Sequence, residues 1–238
     1  MVSSSISVVI PCHNEELVLP GVLGHLRAWV SGTVIPVEVV LVENGSSDAT
    51  LAVANAAREE GMGGARLEVL SLPVGDYGGA VRAGLRASTG SVVAVLDCDM
   101  VDTGFVEHCR TLLERDERLG AVLASKRVEG ANDERSLYRR MGTLVFSTLV
   151  RLVTGSSLVD THGNKVLRGE PARSLLDAVK EDGALFDTEL LVRMERDGWS
   201  FAELPATVRE TRPPRSSYLS RVPSALAGLV RLRGRIGR

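Results

Sequence analysis

Short apolar, mostly β-branched runs at residues 6–10, 37–42, 66–72, 92–96 and 121–124 alternate with helix-like stretches at 14–29, 50–60, 78–88 and 105–115. Strands joined through helices return to the sheet in parallel. The alternation therefore predicts an α/β fold, a mostly parallel sheet with helices on both faces. In such sheets ligands gather beyond the carboxyl ends of the strands. Four polar turns, 11–15, 43–48, 76–79 and 97–99, fall at those ends and so converge on one edge. The second half is less regular: a helix over 136–153, a loop with a short strand over 160–170, a helix over 186–196, a strand over 201–204 and a basic tail from Tyr218.

Composition narrows the functional classes. The 238 residues are 44% hydrophobic, enough for a real core. A net charge of −2 and 4% aromatic residues argue against nucleic acid as a partner. Cys12, Cys98 and Cys109 are odd in number and show no CxxC spacing, so neither a disulfide framework nor a zinc site is expected. A reduced, cytoplasmic setting follows. No apolar run approaches the ~20 residues of a spanning helix, and the start reads directly into a strand rather than a secretory leader.

Asp97-Cys98-Asp99 follows the run at 92–96. Two carboxylates so placed can share one hard cation, Mg²⁺ or Mn²⁺, which prefers oxygen ligands and fills its remaining positions with substrate phosphates. A solvated acidic turn or a helix cap is the plainer alternative. In Glu43-Asn44-Gly45-Ser46-Ser47-Asp48, helix capping accounts for Gly45, Ser47 and Asp48 but not for an acid at Glu43, where a carboxylate can accept from ribose hydroxyls or a base edge. Gly78 and Gly79 open a helix, either to let a ligand approach its N-terminus or to pack tightly on the sheet.

Val9-Ile10-Pro11-Cys12-His13-Asn14-Glu15-Glu16 resembles the opening of the family-2 glycosyltransferases, which have a GT-A fold. Residues 43–50, 78–84 and 97–99 resemble that family's acidic turn, Gly-rich helix start and metal motif, in order. Ser125-Lys126-Arg127 and Asp160-Thr161-His162-Gly163-Asn164-Lys165 resemble segments of its polyprenyl- and dolichol-phosphate mannosyl- and glucosyltransferase branch. The resemblance implies an inverting, metal-dependent transfer from a GDP- or UDP-sugar. Pro11, His13, Glu15, Glu43, Gly78, Gly79, Asp97 and Cys98 would bind the nucleotide-sugar, and Asp97 and Asp99 the metal. It implies a GT-A domain over 1–215, with a nucleotide-sugar half (1–125) and an acceptor half (126–215), followed by a basic amphipathic tail (216–238). His13, Asn44, Gly79 and Val101 depart from the family pattern.

An acceptor alcohol needs a carboxylate base, for which Asp187 and Glu189 are candidates. A polyprenyl-phosphate acceptor is already ionised and needs cations instead, for which Arg127, Arg139, Lys165, Arg212 and Arg215 are candidates. Lipid phosphate, a soluble or glycolipid alcohol, and mere nucleotide binding by a degenerate relative therefore stay open as readings. Residues 136–153, with an apolar stripe among arginines, and the arginine-rich tail read either as packed helices or as elements lying on the inner face of a membrane.

Overall fold

The computed structural model describes residues 4–158, 160–208 and 218–236, the stretch 218–226 by its backbone alone. Arg212 and Arg215 lie outside the described residues. A seven-stranded sheet in the order β3-β2-β1-β4-β7-β5-β8 is built from β1 (Ile6–Cys12), β2 (Val37–Asn44), β3 (Arg66–Leu72), β4 (Val92–Val95), β5 (Leu119–Ser125), β7 (Lys165–Arg168) and β8 (Ser200–Pro205). β7 is antiparallel to both neighbours, and the other pairings are parallel. The short strands β6 (Asn132–Asp133) and β9 (Thr207–Val208) pair separately. These two, and the six-residue helix α6 (Gly169–Ser174), have too few residues to leave a periodic trace in the sequence.

Strand alternation sorts the core. Ile6, Val8, Ile10 and Cys12 of β1, with Val92 and Ala94 of β4, face one layer with Leu19, Leu23 and Leu26 of α1 (Leu19–Gly32), Ala54 of α2 (Thr50–Glu60) and Val106 of α4 (Thr103–Arg115). Val9, Val93, Val95 and Leu167 face the other, with Ala80, Val81 and Leu85 of α3 (Tyr77–Ala87), Ala172 of α6 and Phe186, Leu190 and Leu191 of α7 (Leu185–Arg196). Helices thus cover both faces. Lys165 shares the face of Leu167, one period of two away, and so points toward α3 and α7.

Chain order runs outward from β1 through β2 to β3, then returns to β4 on the other side of β1. The carboxyl ends of β1 and β4 therefore flank the switch point, where an open α/β sheet leaves a crevice.

The helix expected over 136–153 is α5 (Leu137–Thr154), and α8 (Tyr218–Ile236) occupies the tail. α8 begins before Pro223 rather than at it. Val150 of α5 and Leu229, Leu232 and Ile236 of α8 form a third cluster with Leu185 and Val192 of α7. The helix expected from residue 14 begins instead at Leu19. Residues 13–16 are held in a turn by the neighbouring loop.

Candidate active site

That turn is fastened residue by residue. Asn14, the sole non-glycine with positive φ (55°) among the described residues, accepts from Ser47 N at 2.8 Å and donates its own N–H to Ser46 Oγ at 3.0 Å. Asparagine tolerates that left-handed conformation better than most residues. Glu15 N donates to Thr50 Oγ1 at 2.7 Å, Glu16 N to Asp48 Oδ2 at 3.2 Å, and Ala49 N to Glu16 Oε2 at 2.8 Å. Gly45, at φ 65°, has no room for a Cβ, which would meet Gly75 N at 2.6 Å. The two turns are one unit.

This unit walls a cleft of about 460 Å³ lined by Pro11, Cys12, His13, Glu15, Asn44, Gly75, Tyr77, Asp97, Cys98 and Asp99. Six of the predicted nucleotide-sugar or metal residues thus meet in one place: Pro11, His13 and Glu15 from the end of β1 and the turn after it, and Asp97, Cys98 and Asp99 from the turn after β4. Three predicted residues stand behind the wall. Glu43 is buried, accepting from Ser46 N and from Ser71 Oγ at 2.7 Å. Burial alone would push its carboxyl up, but the bonds from Ser71 and Ser46 outweigh it and hold the group below the usual range. A Cβ on Gly78 would meet Gly183 N at 2.6 Å and Phe186 Cβ at 2.7 Å, and Gly79 donates its N–H to Asp76, the N-cap of α3. Packing and capping account for both glycines, and the cleft is lined by Gly75 and Tyr77 in their stead.

Asp99 is exposed, and its carboxylate makes no hydrogen bond or ion pair among the described residues. Asp97 lies deeper. Burial lifts its carboxyl above the usual range, Lys165 and Lys126 pull it back, and Asp99 and Asp187 push it up again. The turn that carries both acids is clamped by Asn164, whose Oδ1 accepts from Asp97 N at 2.8 Å while its Nδ2 donates to Met100 O at 2.7 Å. Asp102 is committed elsewhere, capping α4 through Phe105 N at 3.0 Å.

Beneath Asp97 lies a buried ionic floor. Lys165 Nζ donates to Asp187 Oδ2 at 2.8 Å, with both side chains 1% exposed, and Tyr77 Oη donates to the same oxygen at 3.0 Å. Asp187 Oδ1 is buried with no partner among the described residues. Burial first, then the charges of Asp187 and Asp97, push the Tyr77 hydroxyl well above its ordinary value. His162 sits beside this floor, held below its ordinary value by burial against the opposing pull of Asp187 and Asp160. Its ring meets Phe146 of α5 edge-on at 5.1 Å. Lys126 bridges to Asp160 at 3.4 Å and to His162 O at 3.1 Å.

The remaining predicted residues divide. Lys165 belongs to the floor rather than to an open phosphate site, because its position on β7 points it into the α3–α7 layer. Arg127, exposed at the end of β5, donates to Ser147 of α5. Arg139 is half-buried on the first turn of α5. Glu189 is 0% exposed and fully engaged, accepting from Lys180 N (2.9 Å), Glu181 N (2.6 Å) and Arg193 (2.6 Å). Its carboxylate fastens the loop before α7 and leaves no oxygen for an acceptor. Sequence reasoning passed over Tyr77, Lys126 and Asn164. Lys126 and Asn164 lie inside the segments 125–127 and 160–165, but nothing in the spacing marks Asn164 as the clamp.

The family model described as "Glycosyl transferase family 2" matches residues 7–176. An uncharacterised glycosyltransferase of Mycobacterium tuberculosis is 32% identical over 232 residues, covering 97% of this chain and 95% of that protein. A dolichyl-phosphate β-glucosyltransferase of Drosophila melanogaster is 31% identical, over 81% of this chain and 63% of its own length. Among solved structures, glucosyl-3-phosphoglycerate synthase of M. tuberculosis in complex with UDP superposes with a TM-score of 0.70 at 21% identity, covering 97% of this chain and 80% of that one. The same enzyme in complex with Mn²⁺, UDP-glucose and phosphoglyceric acid gives a TM-score of 0.68. These likenesses establish the GT-A fold.

Proposed function

Given that the chain belongs to glycosyl transferase family 2, we propose that it inverts the anomeric centre of a sugar while moving it from a nucleoside-diphosphate donor to a polyprenyl phosphate. The observation that carries this reading is the state of the two candidate bases. Glu189 has no free oxygen, and Asp187 is ion-paired with Lys165 and accepts from Tyr77 on the same oxygen. A site so arranged suits an acceptor that arrives ionised. The Drosophila relative, named for transfer to dolichyl phosphate, points the same way.

In this reading the nucleoside lies against Pro11, His13 and Glu15, and the diphosphate beside Asp97 and Asp99. The donor set fits Mg²⁺ or Mn²⁺: the two acids are hard oxygen ligands, and Asp99 is exposed and unpaired among the described residues. Such a cation supplies charge neutralisation to the departing diphosphate. Asn164 fixes the turn that presents the two acids, and Arg127, which donates to Ser147 of α5, would meet the acceptor's phosphate oxygens.

One observation favours a second reading, transfer to an alcohol: the unpartnered Oδ1 of Asp187 can take a proton. Glycosyl transfer from UDP- and GDP-sugars to a short-chain polyprenyl phosphate, with wild type and Asp187→Asn, separates the two. Product with the lipid phosphate, falling less than ~10-fold in the variant, supports the phosphate acceptor. Product only with an alcohol, lost by ~10²-fold or more in the variant, supports the other.

A further inference from the structure

The face of α5 turned away from the sheet is apolar and bare. Leu137 is 69% exposed, Tyr138 52%, Met141 57%, Leu144 47%, Val145 55% and Leu152 72%. At ~100° per residue these six and Thr148 fall in one stripe about 120° wide. Ordinary packing explains the opposite face, where Val150 meets α7 and α8, but leaves this one uncovered among the described residues. Large contiguous apolar patches on a folded surface mark a docking site.

Charge identifies the occupant. α5 and α8 together carry seven arginines and no acidic residue, whereas the whole chain is net −2, so the remainder is net −9. Arg140 and Arg151 are exposed along one edge of the stripe, and α8, which packs on α5, adds exposed Val230 with Arg231, Arg233 and Arg235. Arg231 and Arg235 pair with Glu181, and Arg233 donates to Val153 O at the end of α5. An apolar stripe edged on one side by Arg140 and Arg151 fits a bilayer with anionic headgroups, where the apolar side chains enter the acyl boundary and the two arginines meet phosphate. A second copy of this chain would bring the same cations face to face.

We infer that the outer face of α5, with the exposed residues of α8 beside it, seats the enzyme on an anionic lipid surface. The inner face of α5 carries Phe146 against His162 and Ser147 against Arg127. The bilayer would then lie about one helix diameter, ~10 Å, from His162 and Arg127. No helix is long and apolar enough to cross a membrane among the described residues. The inference rests on the lipid-phosphate reading for its purpose, not for its geometry.

Co-sedimentation of the full chain with phosphatidylglycerol–phosphatidylcholine vesicles, and with phosphatidylcholine vesicles alone, tests it. Binding to the anionic vesicles, weakened by salt, is expected. Arg140→Gln and Arg151→Gln should each weaken binding by about 5-fold, from ~1 kcal/mol per cation at the surface. Leu144→Asp should remove it while the melting temperature is unchanged and transfer to a water-soluble, short-chain polyprenyl phosphate persists. Absence of binding at low salt overturns the inference, as does a dimer that Leu144→Asp dissociates without any vesicle binding. Vesicle binding without transfer to any polyprenyl phosphate would leave the docking surface standing and remove the acceptor assignment instead.

Discussion

Lys165 is the most consequential single residue to remove. It is a lysine 1% exposed, 2.8 Å from an aspartate 1% exposed, with Asp97 close enough to feel its charge. Lys165→Met would leave Asp187 buried without its cation and take from Asp97 the strongest influence holding its carboxyl down. Breaking one side of a buried pair costs about 3–5 kcal/mol. For a chain of this size that is a fall of roughly 6–20 °C in melting temperature. The loss has a pH signature. Asp97, already raised by burial, loses the pull of Lys165 and takes up a proton more readily than in the unfolded chain, so the deficit is full at pH above its raised folded value and shrinks as pH falls toward the ordinary aspartate range. Urea unfolding followed by circular dichroism at pH 8 and at pH 5 measures the gap to wild type at each, and the gap should be smaller at pH 5. Lys165→Met/Asp187→Leu, which removes both charges, should recover most of the lost stability. A single variant that loses less than ~1 kcal/mol, or a double variant as unstable as the single, would refute the ionic floor as described.

Asp99→Asn should leave stability within ~0.5 kcal/mol of wild type, because the side chain is exposed and unpaired among the described residues, yet abolish the extra thermal stabilisation that Mn²⁺ adds to a nucleoside diphosphate. Because burial raises the Asp97 carboxyl above its ordinary value, protons compete for it earlier; calorimetric affinity for Mn²⁺ plus nucleoside diphosphate should begin to fall at a pH above the usual aspartate range as acid is added. Glu189→Gln should cost about 2–3 kcal/mol by weakening the four hydrogen bonds that its buried carboxylate accepts, while activity per folded molecule, measured well below the melting point, is kept. All three cysteines are buried, with Cys12 pushed up by its bond to Cys98 and by burial, and Cys109 to about 12 by burial; a thiol-reactive dye should label none of them promptly at pH 8 and all after unfolding.

Most of the fold was readable because its signals are local. β-Branched runs broken by polar turns place β1 to β5, and the rule that ligands gather at carboxyl ends puts Pro11, His13, Asp97 and Asp99 on one rim from sequence alone. What escaped depends on contacts far apart in the chain. Nothing near Lys165 announces that Asp187 lies 2.8 Å away, nor that Asn164 reaches back to Asp97 and Met100. Gly78 and Gly79 look alike for ligand approach and for close packing, since both demand a missing side chain; only the neighbours, Gly183, Phe186 and Asp76, distinguish them. Asp187 and Glu189, two residues apart on one helix, differ for the same reason: α7 turns one toward the cleft floor and the other toward the loop at 180–181.

β7 comes late in the chain yet lies between β4 and β5, which are both in the first 125 residues. A chimaera that grafts residues after 125 from another glycosyltransferase would thus exchange an interior plank of the platform along with the loops, and Lys165 and Asn164 would travel with it. Retargeting the enzyme to a new acceptor is better attempted by loop grafting that spares 164–168 than by trading halves.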